Sequence, residues 1–153
     1  MGRNSGYLAV MAGIVCGAEM VLIPEVPVTG EEVAAAVEDA YQRGKTHAII
    51  INAEGSAIRT TDLVEKIDTL DLGFKTRMTI LGHIQRGGSP TAYDRLLASR
   101  MGVKAVEALV EGQHGVMTGL KGKGVDFIPL LDVISNKRKV NMEHYHMVKV
   151  LAR

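Results

Sequence analysis

Aromatic residues are scarce in this chain: two phenylalanines, four tyrosines and no tryptophan among 153 residues. That argues against a base-stacking surface of the kind that grips single-stranded nucleic acid. Neither sign of charge dominates, since 18 Lys and Arg face 17 Asp and Glu for a formal net charge of +1. The chain as a whole therefore gives no reason to expect nucleic acid or an anionic membrane as a partner. The single cysteine, Cys16, has no partner for a disulfide. It falls within an apolar helical pattern, so packing in the core is its expected role and a reducing compartment, the cytoplasm, its expected home. No apolar run approaches the length that spans a bilayer, and no signal-peptide pattern opens the chain. A G-x-G-x-x-G turn, a Cys/His zinc spacing and a Ser/His/Asp triad are all missing, so no dinucleotide, metal-ligand or triad assignment is made. There is no internal repeat, low-complexity tract or linker.

What is there has the balance of a soluble globular protein, 46% hydrophobic and 23% charged, at a length that can bury a real core. Gly6 to Gly17 is apolar almost all round and predicts a buried helix closed by Gly17. Met20 to Glu25 reads as a short strand ended by Pro24. Thr29 caps a helix over Glu31 to Arg43, with Glu31 and Glu32 in its first turn and Val33, Ala36, Val37 and Ala40 inward. The β-branched run His47 to Ala53 predicts a strand covered on both faces, tipped by Glu54. A helix from Thr60 or Thr61 to about Leu70 turns Leu63, Val64 and Ile67 inward. A strand at Arg77 to Gly82 follows, then a long helix over Thr91 to Glu111 striped by Leu96, Leu97, Met101, Ala105, Val106 and Leu109. Val116 to Leu120 and Val125 to Leu130 form a hairpin about Lys121 to Gly124. Asn141 caps a last helix through Leu151 with Tyr145, Val148 and Leu151 as its stripe. Alternation of strand and helix predicts an α/β chain: a three-layer sandwich with a mostly parallel, Rossmann-like sheet and helices on both faces.

The most informative stretch is Thr79-Ile80-Leu81-Gly82-His83-Ile84-Gln85-Arg86-Gly87-Gly88-Ser89-Pro90. An apolar run delivers His83, Gln85 and Arg86 to what reads as the carboxyl end of a buried strand, where α/β sheets keep their ligands. Between Leu72 and Tyr93 there is no Asp or Glu, whereas Lys75, Arg77, His83 and Arg86 all fall inside. A local cationic excess of this kind suits a phosphate ester. Each of these residues taken singly fits a solvated turn better; the cluster is what points to a site.

GHIQRGGSPTAYDRLLASRMG resembles the signature of the 6-phosphofructokinases, the ATP-dependent bacterial type in particular. Met1-Gly2-Arg3-Asn4-Ser5-Gly6-Tyr7 is similar to a second motif of that family, and Asn52-Ala53-Glu54-Gly55 to a third. The likeness covers nearly the whole chain but only about the second half of such an enzyme, which points to a truncated, proteolysed or engineered piece beginning at Met1. The family's glycine-rich ATP loop of the G-G-D-G type and its catalytic aspartate belong to the first half, and neither occurs here.

The resemblance implies a role for each matching residue. Met1, Gly2 and Arg3 would contact fructose 6-phosphate, with Arg3 also stabilising the transferring phosphoryl group. By their position ahead of a helix, free N–H groups there would attract anions. Glu54 would hold sugar hydroxyls, and His83 and Arg86 the 6-phosphate. Arg77 would reach a neighbouring subunit's site in a homotetramer. Gly17, Glu19, Arg43 and Lys45 would form an allosteric site for ADP or phosphoenolpyruvate, with Glu19 towards the diphosphate's metal ion. Thr46 stands where many bacterial members carry a second lysine. Mg2+ with ATP would serve the full enzyme, and this half alone would hold neither. Residues 1–83 with about 135–153 would form the sugar-phosphate and effector part, and about 84–134 would pack against the absent ATP-binding domain. A non-catalytic sugar-phosphate binding or regulatory module, and a pyrophosphate-dependent member of the family, remain open on these residues.

Overall fold

The computed structural model describes residues 3–70, 75–136 and 139–152. In chain order the elements are α1 (Tyr7–Cys16), β1 (Met20–Leu22), α2 (Gly30–Gln42), β2 (Ile50–Asn52), α3 (Thr60–Thr69), a 3₁₀ helix (Gly82–Arg86), α4 (Ala92–Val110), β3 (Val116–Lys121), β4 (Gly124–Pro129), α5 (Leu130–Ser135) and α6 (Met142–Leu151). They fall into two compact units, Met1–Gly82 with Lys139–Arg153, and His83–Arg138.

The first unit is a small three-layer sandwich. β1 and β2 pair in parallel with Met20 opposite Ile50 and Leu22 opposite Asn52. Side chains alternate along a strand, so the pair offers two faces. Val21, Ile23, Ile51 and Ala53 point to one side, among Ala9 and Val10 of α1 and Tyr145 and Val148 of α6. Met20, Leu22 and Ile50 point to the other, against Val33 of α2 and Leu63 and Ile67 of α3. Parallel pairing needs such a crossover, and the expected α/β class with helices on both faces is what forms. Thr29 caps α2 in a full capping box: its side chain accepts from the N–H of Glu32, whose carboxylate takes the Thr29 N–H at 2.7 Å.

In the second unit α4 packs on an antiparallel hairpin, β3 with β4. Gly122 takes a positive φ of 63° in the two-residue turn between Lys121 and Gly124. The Lys104 ammonium lies 4.7 Å from the centre of the Phe127 ring, and Arg100 donates to the Lys123 carbonyl at 3.0 Å. Thr91 and Asp94 form a second capping box at the start of α4. Ala108 is the one hydrophobic side chain fully buried in this unit among the described residues.

Four expectations are corrected. Residues 77–82 form no strand: no strand among the described residues pairs with them, and Ile80 and Leu81 are 74% and 60% exposed. An extended apolar run without a ladder partner has nothing to make it a strand. α1 is buried on one face only, through Ala9, Val10 and Gly13, while Tyr7, Leu8 and Val15 are exposed. Cys16 lies off that stripe in the last turn and is exposed, so it packs in no core here. β4 stops at Pro129, and Leu130 begins α5 instead. The exposed α4 stripe is no correction: Leu96, Ala105, Val106 and Leu109 are exposed because the hairpin covers little of the helix beyond Ala108, as expected of a stretch that would pack against an absent domain.

Candidate functional site

Adjacent parallel strands end side by side, and their carboxyl ends are where an α/β sheet can offer side chains to a ligand. Glu54 leaves the end of β2 on a tight turn closed by the Ser56 N–H and the Ala53 carbonyl at 3.0 Å. Asn52 fixes this loop from below. Its amide nitrogen donates to the Ile58 carbonyl at 2.9 Å and to the Thr60 hydroxyl at 3.1 Å, while its amide oxygen meets the Ser56 hydroxyl. The turn presents Glu54 to Arg3, whose Nε donates to Oε1 at 3.0 Å. Gly55 sits so close to the Arg3 carbonyl that a Cβ there would collide with it.

Arg3 and Glu54 expose 78% and 72% of their side chains. An ion pair so open to water stabilises by about 0–1 kcal/mol, too little to hold two side chains in register. Both groups are thus available to a ligand: Arg3 with donors for an anion, Glu54 with acceptors for hydroxyls. Met1 and Gly2, assigned with Arg3, lie outside the described residues.

The expected anion site at the start of α1 is not met at its first N–H groups. The Gly6 N–H is taken by both carboxylate oxygens of Glu25, at 3.1 and 3.0 Å, and that of Tyr7 by the Ser5 hydroxyl at 3.4 Å. A carboxylate at a helix N-terminus already satisfies what an anion would.

Glu19, Arg43 and Lys45 come together on the other side of the same unit. The Glu19 carboxylate, 6% exposed, accepts from Arg43 Nη2 at 3.3 Å and Lys45 Nζ at 2.5 Å. Both cations also donate to the Ala152 carbonyl at the end of α6, at 2.8 and 2.6 Å, which is the position where a helix welcomes positive charge. Gly17, with φ 65°, closes α1 two residues before Glu19. A cavity of about 230 Å³ opens beside them, lined in part by Glu19, Arg43, Tyr145 and Lys149. One carboxylate flanked by two cations suits an anion and does not by itself fit a metal ion.

Arg77 is exposed in irregular chain of the first unit. His83 and Arg86, assigned to the second unit, sit on the 3₁₀ helix rather than at a strand end. Residues three apart eclipse one another in such a helix, so the two side chains share one side.

The phosphofructokinase family model matches residues 1–109. The chain belongs to that family. The ATP-dependent 6-phosphofructokinase of Thermotoga neapolitana is 45% identical over 152 residues, covering 99% of this chain and 47% of its own length. That of Clostridioides difficile is 41% identical over the same 99% and 47%. Among solved structures, the Pichia pastoris phosphofructokinase in the T-state superposes with a TM-score of 0.76 at 35% identity, over 88% of this chain and 17% of that one. This phosphofructokinase chain spans about half the length of the curated relatives it matches, and it corresponds to their carboxyl-terminal half.

Three residues that hold the backbone around Arg3 and Glu54 were given no role in the sequence reading: Glu25, Asn52 and Ser56. Asn52 and Ser56 flank Glu54 as polar residues at a strand end, a signal present in the sequence but shared with any ordinary turn. Glu25 follows Pro24 at the end of β1 as Glu54 follows Ala53 past the end of β2. That parallel becomes visible only once the two strands are known to be neighbours.

Proposed function

We propose that this chain is the sugar-phosphate half of an ATP-dependent 6-phosphofructokinase, an enzyme that moves the γ-phosphoryl of Mg-ATP onto the 1-hydroxyl of fructose 6-phosphate. The observation that carries the proposal is the Arg3–Glu54 pair at the carboxyl ends of two parallel strands, in a chain 45% identical to enzymes of that name. In this scheme Glu54 accepts from the sugar's hydroxyls. Arg3, with Met1 and Gly2, binds the sugar phosphate and stabilises the charge that spreads over the transferring group. His83 and Arg86 take the 6-phosphate, and Arg77 serves a neighbouring subunit of a homotetramer. Mg2+ and ATP belong to the other half, where magnesium would neutralise charge on the nucleotide phosphates. Gly17, Glu19, Arg43 and Lys45 form the effector site for ADP or phosphoenolpyruvate. An incoming phosphate competes there with Glu19 and the Ala152 carbonyl for the two cations. Glycolysis in the cytoplasm is the setting that such a reaction implies.

Residues 1–83 and 135–153 serve the sugar phosphate and the effector in this reading, while 84–134 dock on the ATP-binding domain. Positioning of nucleotide and metal supplies most of the catalysis in phosphoryl transfer. The isolated chain is therefore expected to show no turnover with Mg-ATP and fructose 6-phosphate, and activity is expected to return when the amino-terminal half is supplied. Turnover by the chain alone, in material shown free of host enzyme, refutes the division of labour. Persistent inactivity of a folded complex of both halves, with fructose 6-phosphate still bound, favours a binding module instead.

A further inference from the structure

α2 and α4 each close their first turn with a local capping box, in which the N-cap residue's own N–H is taken by a carboxylate three residues on. α1 cannot do this, because Ala9 stands where Glu32 and Asp94 stand in the other two helices. The equivalent N–H, that of Gly6, is instead taken by Glu25, 19 residues away and beyond the end of β1. The fit depends on glycine: a Cβ at Gly6 would collide with the Ile23 side chain. Pro24 stiffens the turn that carries Glu25, and the Val26 N–H closes that turn on the Ile23 carbonyl at 3.3 Å.

Only two residues, Asn4 and Ser5, separate Gly6 from Arg3. The segment from Arg3 to Gly6 therefore meets a glutamate from one of two adjacent strand ends at each end: Glu54 on the Arg3 side chain, Glu25 on the Gly6 backbone. The Arg3–Glu54 pair is exposed and weak, and it would have to yield to a substrate. The Gly6 anchor, by contrast, is half-buried. The geometry points to Glu25 as a positioning residue, which fixes the start of α1 and so places Arg3 for the sugar phosphate. This rests on the reading of Arg3 as a substrate-binding group. Glu25 itself touches no substrate; it acts through the backbone of Gly6.

Two substitutions separate reach from charge in the full enzyme, this chain with its amino-terminal half. Glu25→Gln loses the charge but keeps an oxygen at the same reach, so Gly6 remains anchored. Glu25→Asp keeps the charge but is one methylene short. A displacement of about 1 Å at a reacting group can cost orders of magnitude in rate, so Glu25→Asp is expected to raise the fructose 6-phosphate KM or lower kcat by about tenfold or more, with the ATP KM unchanged. Glu25→Gln should stay close to the unsubstituted enzyme. The reverse order, with Gln impaired and Asp not, assigns Glu25 to helix-dipole charge alone and overturns the proposal, as does equal behaviour of the two. Arg3→Ala in the same assays isolates the underlying reading: if it leaves fructose 6-phosphate saturation unchanged, the role of Arg3 fails first. Amide exchange needs no variant. The Gly6 N–H should be strongly protected in the unsubstituted enzyme, and free exchange there overturns the proposal even if Glu25→Asp does not fold.

Discussion

Arg86 ends a five-residue 3₁₀ helix on which His83 lies three residues earlier, bracketed by Gly82 at φ 55° and Gly87 at φ 115°. Two cationic or donor groups on one side of a turn, with no carboxylate between Leu72 and Tyr93, form a local field suited to a phosphate dianion. Charge-assisted hydrogen bonds of this kind contribute about 1.5–3 kcal/mol each. In the full enzyme, Arg86→Ala should accordingly raise the fructose 6-phosphate KM by about tenfold or more, at about 1.4 kcal/mol per decade. The ATP KM should hold, since the proposed function puts that site in the other half. Arg86→Lys should recover only part of the loss, because an ammonium lacks the planar fork. Paired titrations, one per substrate, decide it: constants that rise together, or neither rising, remove Arg86 from the phosphate site.

Helix starts are the parts of the fold most directly under local chemical control. Glu32 sits below the ordinary carboxylate range chiefly because the Thr29 backbone N–H binds its charged form, with the Thr29 side chain adding to it. Asp94 is lowered in the same way, first by the Thr91 side chain and then by its backbone N–H. A carboxylate whose folded pKa is depressed stabilises above its unfolded pKa, and that contribution is lost as pH falls through the folded value. Helical signal in circular dichroism should thus be flat from neutral pH down to the ordinary Glu and Asp values, 4.5 and 3.8, and fall only below them. Thr91→Ala should cost about 1 kcal/mol in the full enzyme and move that fall to higher pH. An acid profile identical to that of the parent would show that Thr91 does not hold Asp94. α1, anchored from a distance, should instead respond to Glu25.

The two units of the molecule differ in how much they bury. The first closes apolar layers on both sides of its strand pair, whereas the second fully buries one hydrophobic side chain among the described residues and leaves Val103, Val106, Leu109, Leu131 and Ile134 in water. Large apolar side chains left this exposed are expected to be covered by another part of an assembly. The isolated chain is expected to self-associate or to bind a hydrophobic dye, and addition of the amino-terminal half should abolish both. A monomer in sedimentation that binds no dye would show that the face is content in water. In the first unit, Leu22→Ala is expected to cost about 2–5 kcal/mol, since Leu22 is buried among Val33, Leu63 and Ile67. Loss of cooperative melting in this variant alone would place the stability of the chain in that unit.

Local chemistry was legible in the sequence. Caps at Thr29 and Asn141, the stop at Gly17, the hairpin about Gly122 and the α/β alternation were all readable, because each depends on residues within a few positions of one another. The motif likeness placed the family on the same footing, residue by residue. Whether the apolar run at 77–82 becomes a strand, and whether the stripe of α4 is covered, depend on neighbours far away in sequence or outside this chain; period and propensity were silent on both. The same holds for Glu25. Its sequence marks a carboxylate after a proline, and only the parallel pairing of β1 with β2 puts Glu25 and Glu54 on adjacent strand ends, each meeting one end of the Arg3–Gly6 segment. A hydrogen bond between groups 19 residues apart leaves no periodic trace in a sequence, so tertiary structure alone could decide it.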